Sequence, residues 1–329
     1  MSGPSERAVL HVPARDIPVP TSISPEAQSM LAVGIIGGDP STDDPDNSQP
    51  DQSGANDLIM KLLGQAPADV EIEEIEFEGV PTFVAAPRAH PQTDSRVFLD
   101  IHGGALVGGG GDMCRMTTMR AANRFGLRVY APDYGLPPER PYPAGLDDCL
   151  AVYRRLLRDR GPKEIVIGGG SAGGNIAAAL ILRARDEGLP LPAAAALLTP
   201  EVDLTESGDT FQTMVGIDAV GGGRSLMEAN LLYAGGHDLS DPYLSPLFGD
   251  FTKGFPPTLL TSGTRDFFLS NTVRLHRALR AAGLEAELHV LEACPHGGFM
   301  VDTPEERELN RDIRRFLNEH LPAPFEKTA

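Results

Sequence analysis

From about Val70 the chain settles into a regular rhythm of apolar and polar positions. Val70 to Phe77 alternates apolar and acidic residues as a half-exposed strand does, and Thr82 to Ala86 follows a Gly-Val-Pro turn, so a hairpin opens a sheet. Beyond it, short apolar runs predict strands over Arg96 to His102, Arg128 to Ala131, Glu164 to Gly168, Ala193 to Thr199, Pro257 to Gly263 and Glu285 to Leu291. The stretches between them carry helical periodicity at Asp112 to Phe125, Gly145 to Arg158, Gly173 to Glu187, Ser270 to Ala282 and Pro304 to Asn318. Continuously apolar strands separated by amphipathic helices imply a mostly parallel, eight-stranded sheet with helices on both faces, an α/β fold.

Two segments break the rhythm. Residues 1 to 65 hold an apolar stretch at Ala27 to Ile36, a run of small and polar residues at 37–54 that reads as a flexible loop, and a helical pattern at Asn56 to Leu63. Between Asp203 and Pro256 the alternation stops, with a helical stretch at Ser225 to Tyr233 inside it. The expected division is an N-terminal cap segment over 1–65 and a catalytic domain over 66–329, with a cap insertion at about 205–250 that walls a pocket.

Composition narrows the classes of partner. With 28 basic and 46 acidic residues the net charge is −18, which argues against nucleic acid and anionic membrane, since phosphate neutralisation needs clustered Lys and Arg. Cys114, Cys149 and Cys294 cannot all pair within one chain, and none has a metal-ligand spacing. Reduced thiols, the absence of a signal-like or membrane-spanning apolar run and scattered histidines predict a soluble cytoplasmic protein with no metal.

The chemistry centres on Ile165 to Gly168 running through Gly169-Gly170-Ser171-Ala172-Gly173 into an alanine-rich helix. A serine on so tight a strand-to-helix turn takes a strained backbone, tolerable only with small neighbours two positions away, here Gly169 and Gly173. The turn exposes the hydroxyl and points the first helical amides at it, which makes Ser171 a candidate nucleophile.

A serine hydroxyl needs a base, and the base needs a group to orient it. In this architecture both follow the serine, acid before histidine, in loops after late strands. Asp266, after Pro257 to Gly263, and His296, after Glu285 to Leu291, occupy such places. His276 and His289 fall within a helix and a strand, and Asp203 and Asp241 suit turn or cap duty. For the tetrahedral oxyanion, His102-Gly103-Gly104-Ala105 supplies amides of Gly103, Gly104 and Ala105, and Ala172 completes the set; one such donor is worth ~3 kcal/mol of barrier. His102 reads as a brace for the loop.

These motifs resemble the hormone-sensitive-lipase-like branch of the α/β-hydrolase fold, the bacterial family IV esterases, over about Val70 to Leu321. The likeness rests on His102-Gly103-Gly104, Asp133-Tyr134, Pro137-Pro138-Glu139, Tyr142 to Asp148, the Ser171 pentapeptide, Pro200-Glu201-Val202-Asp203-Leu204-Thr205, Asp241-Pro242, Ser245-Pro246, Asp266 and His296. The chain departs from it at Ala105, where a third glycine is usual, at Gly170, where aspartate or threonine is commoner, and at Gly297-Gly298, one glycine longer.

The resemblance implies Ser171, Asp266 and His296 as a triad, an acyl pocket shaped by the segment before Leu63 and by Phe211 to Leu239, no cofactor, and a homodimer through Glu285 to Leu291 or the neighbouring helix. The expected activity is that of a serine carboxylesterase acting on short- to medium-chain, small-molecule esters through an acyl-enzyme. A lactone hydrolase with the same triad is the alternative, and a non-catalytic receptor a remoter one. Cys294, two residues from His296, is expected to make the protein sensitive to thiol reagents.

Overall fold

In a computed structural model that describes residues 10, 12–34, 60–61, 64–91 and 93–323, eight strands form one sheet in the order β1-β2-β4-β3-β5-β6-β7-β8. They are β1 (Val70–Phe77), β2 (Val80–Pro87), β3 (Val97–Ile101), β4 (Arg128–Pro132), β5 (Ile165–Gly170), β6 (Ala194–Leu198), β7 (Thr258–Gly263) and β8 (Ala286–Leu291). β1, β2 and β4 pair antiparallel; all later pairings are parallel. The hairpin turns at Glu78 and Gly79, so the strand starts at Val80 and takes in Pro81, which the sequence had suggested as part of the turn. Pro81 stands at the hairpin end of the strand, where a missing N–H disturbs the ladder least.

Side chains alternate across the sheet. Val97, Leu99 and Ile101 of β3 face one layer, packing with Leu146 and Leu150 of α3 (Ala144–Asp159), Ile176 and Leu180 of α4 (Ala172–Asp186), and Leu275 and Leu279 of α6 (Leu269–Ala281). Phe98, between them, faces the other, with Met119, Ala122 and Phe125 of α2 (Asp112–Phe125) and Leu309, Ile313 and Phe316 of α7 (Pro304–His320). The period of two in β3 and the i, i+4, i+7 spacing in α7 therefore generate the three layers.

The N-terminal part contributes α1 (Pro25–Ala32), capped by Ser24, whose hydroxyl and amide both donate to Glu305 at the start of α7. Ala27, Met30 and Leu31 pack with Ile23, Ala219 and Phe299. The expected loop at 37–54 and most of the helix at Asn56 to Leu63 lie outside the described residues. The insertion after β6 holds a helical turn at Thr210–Thr213 and α5 (Met227–Ala234), with Asn175 Nδ2 of α4 donating to Leu244 O at 2.8 Å. Among the described residues no helix is long and apolar enough to cross a membrane.

Candidate active site

Ser171 sits between β5 and α4 at φ 57°, ψ −126°, the strained geometry that its motif foretells. The strain is enforced by close packing: a Cβ on Gly173 would lie 1.9 Å from Ile101 O, and one on Gly169 2.4 Å from the same oxygen. The nucleophile turn and the end of β3 are thus pressed backbone to backbone, which brings the loop after β3 alongside the serine.

Three loops then converge. The Ser171 hydroxyl lies 2.9 Å from His296 Nε2, and His296 Nδ1 lies 3.1 Å from Asp266 Oδ1. Asp266 is fully buried, and its carboxylate also accepts from Ser262 Oγ at 2.6 Å and from the Phe268 amide at 2.9 Å. Phe267 and Phe268 meet the imidazole edge-to-face, with centroids 5.2 and 4.8 Å away. The loops after β7 and β8 are laced together by Arg265 N–H donating to Cys294 O and Ala293 N–H to Thr264 Oγ1.

Burial on its own works against a charged His296, but Asp266, helped by Asp218, outweighs it and holds the imidazole above its ordinary pKa. The cation formed on taking a proton from serine is therefore stabilised.

The loop after β3 is braced from below. His102 is buried, its Nδ1 is 2.8 Å from Gly103 O, its ring stacks on Tyr134 with centroids 4.0 Å apart, and the Tyr134 hydroxyl donates to His102 O at 2.9 Å. Burial lowers the His102 pKa, which makes the ring a weaker base than an ordinary histidine. Gly104 O accepts from the amides of Val107 and Gly108, which closes the loop on itself, and Gly103 is set against the serine turn. A Cβ on Gly103 would come within 3.3 Å of Ser171 Cβ. Ala172 opens α4, so its N–H has no partner inside the helix and is free for an anion.

The rival residues have structural partners. Asp203 is bound by Thr205, Ser207 and Arg274, Asp241 accepts from the Tyr243 amide, His289 pairs with Glu287 and Asp312, and His276 lies half-buried on α6. His102, Cys114 and Asp133 bring one ligand-type atom each within 4.8 Å of one another. There Asp133 already accepts from the Gly111 amide at 3.0 Å, and burial pushes the Cys114 thiol well up.

Two acids near the site were not among the candidate site residues of the sequence. Asp218, in the insertion, is fully buried and accepts from the amides of Val220, Phe267 and His296 at 2.8, 2.9 and 3.2 Å, pinning the loops after β7 and β8; burial pushes it up to about 6. Glu201, whose amide donates to Ser171 O at 3.2 Å, is pushed by burial up to about 8 and so carries its proton at neutral pH. Cys294 is buried, and that burial raises its thiol pKa well above normal, which makes it a poor nucleophile in place of the reactive thiol expected from its position.

With this geometry in view, comparison with known proteins is specific. A family model described as alpha/beta hydrolase fold matches residues 98–300. An esterase of Acinetobacter venetianus is 30% identical over 270 residues, covering 79% of this chain and 86% of that protein. A putative acetyl-hydrolase, LipR of Mycobacterium tuberculosis, is 30% identical over 78% of this chain and 83% of its own length. Among solved structures, esterase E25 superposes with a TM-score of 0.83 at 32% identity, covering 95% of this chain and 99% of that one. An esterase from the bacterial hormone-sensitive lipase family superposes with a TM-score of 0.79 at 31% identity, covering 91% and 99%.

Proposed function

The chain belongs to the α/β-hydrolase family, in its hormone-sensitive-lipase-like esterase branch, and is a carboxylic-ester hydrolase; from that premise we propose that it is a serine esterase of short- to medium-chain esters working through an acyl-enzyme. The observation that carries the mechanism is the relay Ser171 Oγ, His296 Nε2 and Nδ1, Asp266 Oδ1, in which each step spans 2.9–3.1 Å.

As the Ser171 oxygen attacks the ester carbonyl, its proton passes to His296 Nε2. Asp266 keeps the ring oriented and stabilises the imidazolium. The carbonyl oxygen becomes an alkoxide, which in this reading the amides of Gly103, Gly104, Ala105 and Ala172 receive. Collapse expels the alcohol, which takes the proton from His296, and leaves the acyl group on Ser171. Water then loses a proton to His296, attacks the acyl carbon, and the carboxylic acid departs as the serine regains its proton. Every step uses side chains and amides of this chain.

The test is release of p-nitrophenol from acetyl through dodecanoyl esters by the native protein and by Ser171→Ala. Hydrolysis of the shorter esters that falls by at least 10³-fold in the variant is the expected result. A Ser171→Ala protein that keeps its rate would overturn the nucleophile.

A further inference from the structure

Three side chains from three different elements meet behind the loop that follows β3. His102 comes just after β3, Cys114 lies in the first turn of α2 and Asp133 comes just after β4. One nitrogen, sulfur or oxygen of each lies within 4.8 Å of the other two. His102 and Cys114 are buried, while the Asp133 side chain is 25% exposed, so solvent reaches the group from one side. No spacing in the sequence marks the set, because positions 102, 114 and 133 meet only when β3, α2 and β4 pack together.

The state of the histidine sets this group apart. His102 Nδ1 is 2.8 Å from Gly103 O, an oxygen that can only accept, so the proton of the neutral ring sits on Nδ1 and the lone pair on Nε2. That Nε2 is buried and has no hydrogen-bond partner among the described residues; Asp133 Oδ1, 4.0 Å away, is beyond hydrogen-bond reach. A buried acceptor left unpaired costs stability, and this one faces a thiol and a carboxylate. A histidine that donates one ring N–H to a carbonyl and turns its bare nitrogen toward such groups has the form found at metal centres, where the carbonyl fixes tautomer and ring orientation. The Tyr134 ring stacked on the imidazole holds it further.

We propose that His102 Nε2, Cys114 Sγ and a carboxylate oxygen of Asp133 form a binding site for a borderline-soft divalent cation such as Zn2+, independent of the serine-esterase reading. Nitrogen, sulfur and oxygen together suit Zn2+ and disfavour Mg2+ and Ca2+, which take oxygen ligands. Bonds of about 2.0–2.3 Å set neighbouring ligands of a tetrahedral ion about 3.3–3.6 Å apart, so the three atoms need close by at most about 1.5 Å. The exposed side of Asp133 leaves the fourth position open to water. Asp133 keeps the Gly111 amide on its remaining lone pairs, since a carboxylate offers about four. As the sulfur–metal bond forms, the Cys114 thiol gives its proton to solvent, and the thiolate is stabilised by the ion and by the first-turn amides of α2.

The test is titration of the metal-free native protein with Co2+ and Zn2+, followed by absorption and equilibrium dialysis. One Co2+ per chain with thiolate-to-cobalt charge-transfer absorption, displaced by one equivalent of Zn2+, is the expected result, and saturating Zn2+ should raise the melting temperature. Cys114→Ser should lose the absorption and bind Zn2+ at least tenfold more weakly; Asp133→Asn should keep the absorption and bind at least tenfold more weakly. Of the three free cysteines, Cys149→Ser and Cys294→Ser should each match the native protein, which identifies the sulfur even if Cys114→Ser fails to fold. No uptake, uptake without the thiolate absorption, or an absorption unchanged in Cys114→Ser overturns the site.

Discussion

The amide of Phe299 donates to Glu306 Oε1 at 3.0 Å, so the loop that delivers His296 is tied to the first turn of the last helix. Glu306 is itself fixed by Arg124 and by the Thr303 cap, whose hydroxyl accepts from the Glu306 amide. Glu306→Ala should cost about 2 kcal/mol of stability, the usual loss for a hydrogen bond to a charged group, and lower kcat about tenfold with a smaller change in KM. Chemical unfolding and steady-state kinetics on the same preparation check both.

Asp266→Asn keeps the shape of the site but puts an amide where His296 Nδ1 and the Phe268 N–H need an acceptor. The imidazole then loses the orientation and charge partner required for base catalysis. A drop in kcat of about 10³–10⁴-fold is expected, with near-native circular dichroism.

The pH profile follows from the charges around the histidine. The proposed mechanism requires neutral His296, whose pKa is raised, so kcat/KM should fall with decreasing pH along an acid limb centred above about 6.5, the ordinary histidine value. Because burial holds Asp218 at about 6, its negative charge is largely present in that range. Removing it in Asp218→Asn makes the imidazolium less stable and moves the limb to lower pH, as a kcat/KM profile between pH 5 and 9 will show. A limb that stays in place would mean that Asp218 acts through the backbone alone.

Gly104 has φ +129°, and a Cβ there would fall 2.2 Å from Gly108 O. Gly104→Ala must therefore reshape the loop to which the proposed mechanism assigns the oxyanion amides, and a loss of at least 10²-fold in kcat is expected. Ala105→Gly, which keeps the amide, should stay within a few-fold of native.

Buried Cys294, with its thiol pKa pushed well up, should react slowly with iodoacetamide at neutral pH, leaving esterase activity intact over hours. Rapid inactivation, spared in Cys294→Ser, would show that the loop after β8 opens far more often than its packing implies.

The layers of the fold and its strands were legible because each signal is local: alternation in β1, continuous apolar runs in the buried strands, a strained glycine turn at Ser171. The loops that bring Asp266 and His296 together were legible as well, since a loop after a strand is a place that periodicity can locate. Asp218 was not, because what matters about it is three backbone amides up to 78 residues distant, and nothing in Gly216 to Val220 marks such a contact. Glu306 is hidden likewise, reading as an acidic first-turn residue of α7 while in fact holding the histidine loop. Pro81 misled in the other direction: proline usually signals a turn, yet here it sits inside the end of a strand.

Ile101 stands opposite Gly169 in the β3–β5 ladder, at the middle of the sheet, whereas β8 forms its margin and is only half-buried. On the proposed mechanism the nucleophile and the anion-holding loop are thus mounted on central strands, and the proton carrier follows a marginal one. Heating should undo them in that order of exposure: fraying at the margin would strand the serine without its base while the seat for the anion persists, so turnover is expected to fail at a lower temperature than the sheet itself.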